Sequence, residues 1–176
     1  MTPWQQHQKK WLGCTRCPLH EGRCKVVLCR GPLPCDVLFV GEAPGASEDV
    51  LGTPFEGPAG HLLDSIIDEA LMPRRLDVPI RVAFTNLVGC IPKRDGEKFE
   101  PEPSHIKACA PRLRELLAMA KPKLVVAVGT LSAKWVDWQV KIEIVHPAAI
   151  LRANVAQRGL MIQRCVVRLA NAVESL

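Results

Sequence analysis

Three apolar runs in this chain each stop at a side chain equipped for chemistry. VLFVG stops at Glu42, in a loop that also holds Glu48, Asp49 and Phe55; RVAF stops at Thr85 and Asn86; IEIV stops at His146. A carboxylate can orient a water or steady a positive charge, an amide can read the edge of a polar ring, and an imidazole can donate to a developing negative charge. Each residue alone has a plain structural reading. Asn86 would cap a turn, His146 would satisfy a core hydrogen bond, Phe55 would be core, Glu42 would cap a helix, and the loop acids would be solvated. Together they mean more, because a parallel sheet brings the groups at its strands' carboxyl ends to one edge, however far apart they lie in sequence. The stretch from Val37 to Asp64, VLFVGEAPGASEDVLGTPFEGPAGHLLD, fits neither GxxxxGK[ST] nor GxGxxG, so neither familiar phosphate-cradling loop is supported. Its Gly, Pro and acid content marks it instead as the floor of an active site.

Cysteine is the second reactive set. Eight occur in a chain whose polar N-terminus, Gln5 to Lys10, lacks a signal-peptide core, so the protein is expected to be cytoplasmic and its thiols reduced. That favours metal or cluster ligation over disulfides. Cys14 and Cys17 form a CxxC, and Cys90 and Cys109 each adjoin a loop or helix that can present a ligand. A CxxC is shared by zinc ribbons, redox motifs and iron–sulfur sites. Cys24, Cys29 and Cys35 are unevenly spaced and have no His partners, which counts against a second, zinc-like site with Cys17. Together with Cys165 they are expected to be buried structural thiols.

The elements that must position these groups alternate. Val37–Gly41, Ile80–Leu87, Lys123–Gly129 (KLVVAVG) and Ile142–Val145 read as buried strands. Between and after them run helices. One carries Leu62, Leu63, Ile66, Ile67, Ala70 and Leu71 and ends before Pro73; a second opens at Ser104 and runs to about Ala120; a third, Leu131–Val136, is short. The last, from about Gln157, carries Leu160, Ile162, Val166, Leu169, Val173 and Leu176 as its stripe. A short helix from Trp4 to Gly13 is expected to carry Trp4, His7, Trp11 and Leu12 on one side and to deliver Cys14 to the first loop, with His7 at the surface rather than a ligand. Pro18 to Cys35 reads as an irregular connector, and IPKRDGEKFEPEP after Cys90 as a loop unable to pack a core. This pattern predicts an α/β fold of three layers, α/β/α, around a central parallel sheet of about four strands, in a single domain spanning residues 1–176. With 48% hydrophobic residues the chain can bury one substantial core, and no apolar run is long enough to span a bilayer. A net charge of +5 permits an anionic partner.

The first stretch resembles the first motif of the family 4 uracil-DNA glycosylases, the iron–sulfur branch of that superfamily, GE[AG]PGxxEDxxGxPFxGxAGxLL. The second family signature, HPxxxLR, is present as His146, Pro147, Leu151 and Arg152, and CxxCxL as Cys14, Cys17 and Leu19. The resemblance implies a [4Fe–4S] cluster on Cys14, Cys17, Cys90 and Cys109, and a uracil-DNA glycosylase-like fold. It also implies a monomeric enzyme that flips uracil out of single- or double-stranded DNA and hydrolyses the N-glycosidic bond. Phe55 would stack on the base, Asn86 would read its edge, and Ala43 would complete the base-binding set. His146 would stabilise the charge on O2. Glu42 or Glu48 would orient the water and stabilise the positive sugar, with Glu42 favoured for the water and Glu48 for closing the pocket near the 5-position. Ile150 and Leu151 would be the wedge that replaces the flipped base. Arg152, Lys93, Arg94, Lys98 and Arg158 would meet phosphates.

The chain departs from the family in two places. The loop after Cys90 is longer than the usual compact PPxNRxP, and the segment from Gly129 to His146 is shorter. Both border the DNA side. They leave room for a glycosylase acting on another deaminated or modified base, or for a base-binding module of the same fold without catalysis. A zinc or redox protein built on the CxxC would leave the strand-end residues unexplained.

Overall fold

Successive residues of a strand point to opposite faces, and here both sets are buried. Val37, Phe39, Leu124, Val126 and Val128 join one apolar cluster, while Leu38, Val40 and Val125 join another. A sheet with two buried faces needs a helical layer on each. The computed structural model describes residues 1–71, 79–94 and 96–176, with the side chains of Arg94 and Lys98 also outside the description. The expected helix stop before Pro73 and the phosphate roles of those two side chains therefore lie outside the described residues.

In chain order the elements are α1 (Pro3–Trp11), α2 (Leu19–Gly22), β1 (Val37–Gly41), α3 (Ala46–Leu51), α4 (Pro58–Leu71), β2 (Val82–Asn86), β3 (Lys93–Arg94), β4 (Glu97–Lys98), α5 (Pro103–Ala120), β5 (Leu124–Val128), α6 (Thr130–Trp135), β6 (Lys141–Ile144), α7 (Pro147–Arg152) and α8 (Val155–Glu174). The four-stranded sheet has the order β2-β1-β5-β6, and every neighbouring pair is parallel. The α/β/α expectation therefore holds. Helices α4, α7 and α8 pack together on one face; α1, α5 and the N-terminal connector cover the other.

Asp36 ties the entry to three strands. Its carbonyl accepts from Lys123 and Leu124, its N–H donates to Arg81, and its carboxylate takes Arg81 Nε at 3.1 Å and Lys123 Nζ at 3.4 Å. At the outer edge of β2 the connector is not irregular. Arg30 and Phe84 exchange N–H···O bonds of 3.0 and 2.8 Å as an antiparallel bridge, Thr85 Oγ1 donates to Leu28 O at 2.7 Å, and Val27 N donates to Gly89 O at 2.7 Å.

Several expectations need correction. His7 is buried, not at the surface: it stacks on Trp4 and lies against Trp11, because α1 docks on α5 through this face. Burial pushes its imidazole below the ordinary value of 6.5, with the Arg112 charge adding to the effect. Leu12 and Leu160 are about half exposed, since Leu12 follows the last turn of α1 and Cys165 takes the buried place on α8. Cys24 is exposed, whereas Cys35 and Cys165 are buried as expected. The segment after Cys90 forms the antiparallel β3–β4 hairpin and contributes buried Ile91, Pro92 and Pro101. Among the described residues no helix is long and apolar enough to cross a membrane.

Candidate active site and cysteine cluster

The register of the sheet builds the site. Gly41 of β1 pairs with Asn86 of β2, so Glu42 and the Asn86 side chain leave the sheet at the same level. A Cβ on Gly41 would collide with Asn86 Oδ1 and lie 2.6 Å from Phe55 Cζ, which places the amide and the ring side by side over that glycine. Phe55 reaches this place with φ +60, a left-handed conformation that a bulky residue holds only under constraint from its surroundings. Its ring tilts against Phe84, which stacks in turn on Phe39. Both Phe55 and Asn86 are nearly buried, at 7% and 4% exposure.

A cleft of about 650 Å³ is lined by Glu42, Ala43, Gly129, Glu143, His146 and Arg152 among others; Phe55 and Asn86 are not part of its lining and connect to it through the Gly41–Glu42 backbone. Phe99, Glu100 and Pro101, which follow the hairpin, form part of its wall. A Cβ on Gly129 would lie 2.6 Å from Glu42 Oε1 and 3.2 Å from His146 Cβ, so these two side chains approach from either side of the space a side chain there would fill. His146 is the N-cap of α7, and its Nδ1 accepts from Ala148 N at 3.1 Å. An Nδ1 that accepts leaves the ring proton on Nε2, so a neutral His146 is a donor at that atom.

The loop acids separate by their partners. Glu48 takes three backbone amides, Gly45 N at 2.9 Å through Oε2 and Glu56 N at 3.0 Å and Gly57 N at 2.8 Å through Oε1. Asp49 accepts from Cys24 N at 2.9 Å and from Lys25 N. Both therefore shape the loop, part of which is the helix α3, and of its four acids, Glu42, Glu48, Asp49 and Glu56, Glu42 is the one that lines the cleft.

The remaining expected residues divide likewise. Ile150 has no exposed surface and packs in the core beneath α7, so it cannot act as a wedge, whereas Leu151 beside it is 36% exposed. Arg152 is exposed on the cleft rim. Arg158 directs Nε and an NH2 group to the carbonyls of Ala153 and Leu151, closing the end of α7. Lys93 lines a separate groove with Leu19, Phe99 and His105.

On the opposite side of β2, cysteines from four places in the chain approach one another. Burial raises the Cys90 thiol to about 11, with the charges of Cys109 and Cys17 adding to the rise; burial likewise raises Cys17, with Cys109 and Cys14 adding. N–H donors point at the sulfurs. Gly89 N reaches Cys109 Sγ at 3.4 Å, Arg112 Nε reaches it at 3.2 Å, and an Arg23 NH1 group reaches Cys90 Sγ at 3.5 Å. Among the described residues no three His, Cys, Asp or Glu side chains meet closely enough to share a single metal ion. A cluster of several metal atoms holds its ligand sulfurs farther apart than one ion does, and N–H donors to sulfur are a usual means of tuning it. What the structure shows here is the approach of these thiols and the N–H donors aimed at Cys90 and Cys109.

The sequence matches the Uracil DNA glycosylase superfamily over residues 30–170. It is 41% identical over 121 residues to a Type-4 uracil-DNA glycosylase of Pyrobaculum aerophilum, covering 69% of this chain and 58% of that protein. To the Type-4 uracil-DNA glycosylase of Sulfurisphaera tokodaii it is 35% identical over 136 residues, covering 77% of this chain and 59% of that one. Against the Archaeoglobus fulgidus Type-4 enzyme it is 29% identical over 165 residues, covering 80% and 79%. The chain thus spans a little over half the length of the first two relatives.

Proposed function

The chain belongs to the uracil DNA glycosylase superfamily, and from that premise we propose that it excises uracil from DNA by hydrolysing the N-glycosidic bond. The base, turned out of the stack, lies against Phe55 with its pyrimidine edge on the Asn86 amide and Ala43 at its side. Water adds its oxygen to C1′ as the C1′–N1 bond breaks, the bonding electrons pass into the uracil ring, and the proton the water gives up goes to Glu42 or solvent while the uracil anion takes one from solvent as it leaves. His146 Nε2–H donates to O2, where that charge gathers, and Glu42 orients the water and faces the positive sugar. Leu151 fills the space left by the base, and Arg152 meets a phosphate.

The observation that carries this reading is the pairing of Glu42 with His146 across Gly129. A carboxylate acceptor and an Nε2 donor share one cleft, and the aromatic ring and amide lie over Gly41, the residue before that carboxylate. The four cysteines Cys14, Cys17, Cys90 and Cys109 would hold a [4Fe–4S] cluster, whose contribution is to tie the N-terminal arm to the segment after β2. Eight free thiols and a family of DNA-repair relatives support a cytoplasmic protein acting on DNA.

The test is incubation of cluster-containing protein with an oligonucleotide carrying one deoxyuridine, followed by alkali. Cleavage at that position alone is expected. A protein with its cluster intact that yields no abasic site in single- or double-stranded DNA would sink the proposal, and other deaminated or modified bases would be tried next.

A further inference from the structure

Building on the reading that Asn86 recognises a base, we propose that Arg112 is the positioning residue that couples the cysteine cluster to the base pocket. Arg112 lies on α5 one turn after Cys109 and is 1% exposed. Among the described residues no ion pair with a carboxylate involves it. A guanidinium this deep is costly unless its donors are met, and its Nε–H meets the Cys109 sulfur at 3.2 Å. Ligation of a cluster would keep that sulfur a thiolate.

The other edge of the guanidinium reaches the end of β2. One NH2 group donates to the backbone carbonyls of Asn86 and of Leu87, the latter at 3.2 Å; the other donates to Thr85 Oγ1 at 3.1 Å and to Leu28 O at 3.5 Å. The group is planar and rigid, so the position of its Nε edge fixes the direction of its two NH2 groups. A cluster that holds Cys109 thereby holds the backbone from which the Asn86 amide projects. Lysine at this position would supply the charge without the fork, and glutamine would supply two donors without the charge.

The experiment compares Arg112→Gln and Arg112→Lys with wild type, each purified without air and checked for iron. Inhibition by free uracil and the steady-state constants on a deoxyuridine oligonucleotide are then measured. Both variants are expected to weaken uracil inhibition and raise KM by about tenfold or more, while kcat stays within roughly threefold. The link also predicts that saturating uracil alters the visible circular dichroism of the wild-type cluster, and that iron-containing variants lose this change. A purely structural role would lower melting temperature without moving KM or the spectrum, and would overturn the inference. So would variants with wild-type KM, or a wild-type spectrum indifferent to uracil; that last measurement needs no variant to fold. A wild type that releases no uracil overturns the glycosylase reading and this coupling with it. Release by wild type together with wild-type KM and wild-type uracil inhibition in both variants overturns the coupling alone.

Discussion

At the scale of single residues, two glutamates six positions apart carry out different tasks. Glu48 satisfies three backbone amides of its own loop, so Glu48→Ala leaves those donors unpaired and is expected to destabilise the fold by about 2–4 kcal/mol, read as a lower melting temperature. Glu42→Gln should leave the melting temperature unchanged and slow single-turnover excision by roughly a hundredfold. Interchanged phenotypes would reverse the assignment. His146→Ala removes a donor worth about 2.7–4 kcal/mol in comparable oxyanion sites, so excision should slow by roughly a hundredfold or more while DNA affinity holds. A matching loss of affinity would make His146 a binding residue instead. The strand-end groups were legible in the sequence because a buried run that stops at a polar residue declares its own end. The division of labour between Glu42 and Glu48 was not, since it depends on amides eight and nine residues downstream. Arg112 was hidden for a related reason: its two NH2 groups act on partners 25 to 84 positions away, and in sequence it is one more charge on a helix.

At the scale of elements, Asp36 stands where β1, β2 and β5 begin and bonds the residue before each of its neighbours. Hydrogen bonds from Arg81 hold its carboxyl down at about 2, against the opposing effect of partial burial and with help from Lys123. Because the folded value lies below the ordinary carboxylate range, this stabilisation is complete above about pH 4 and is lost as pH falls toward 2. Asp36→Asn should lower the melting temperature at neutral pH, and its stability should depend less on pH across that acid range. Parallel denaturation curves at pH 2 and pH 6 for both proteins would refute the assignment if the gap between them did not narrow in acid. All four strands and the longer helices were readable from apolar periodicity and from the Pro and Gly that bound them. The pieces that escaped are short: α2, α3, α7 and the β3–β4 hairpin offer four residues to one turn and a half, or two-residue strands, too little for a period to register. His7 shares a side of α1 with Trp4 and Trp11, but an imidazole there is as readily solvated as enclosed, and its burial depends on the docking of α1 on α5.

For the molecule as a whole, the cleft itself carries three carboxylates, Glu42, Glu100 and Glu143, while the chain has a net charge of +5. Attraction to DNA must then come from cations around the cleft, with Arg152 on its rim. Affinity should fall steeply with salt, and Arg152→Ala should weaken binding to all sequences alike while reducing the slope of log K against log salt by about 1. An unchanged slope would remove Arg152 from the phosphate contacts. A different consequence follows from the bridge between Arg30 and Phe84. The arm that carries Cys14 and Cys17 is continuous with the segment that shuts the free side of β2, so the cluster proposed for those cysteines would make metal loading and protection of the sheet against self-association one event. Cells starved of iron should accumulate this protein as β-rich aggregates rather than as a soluble colourless form, and restoring iron during synthesis, but not afterwards, should recover it.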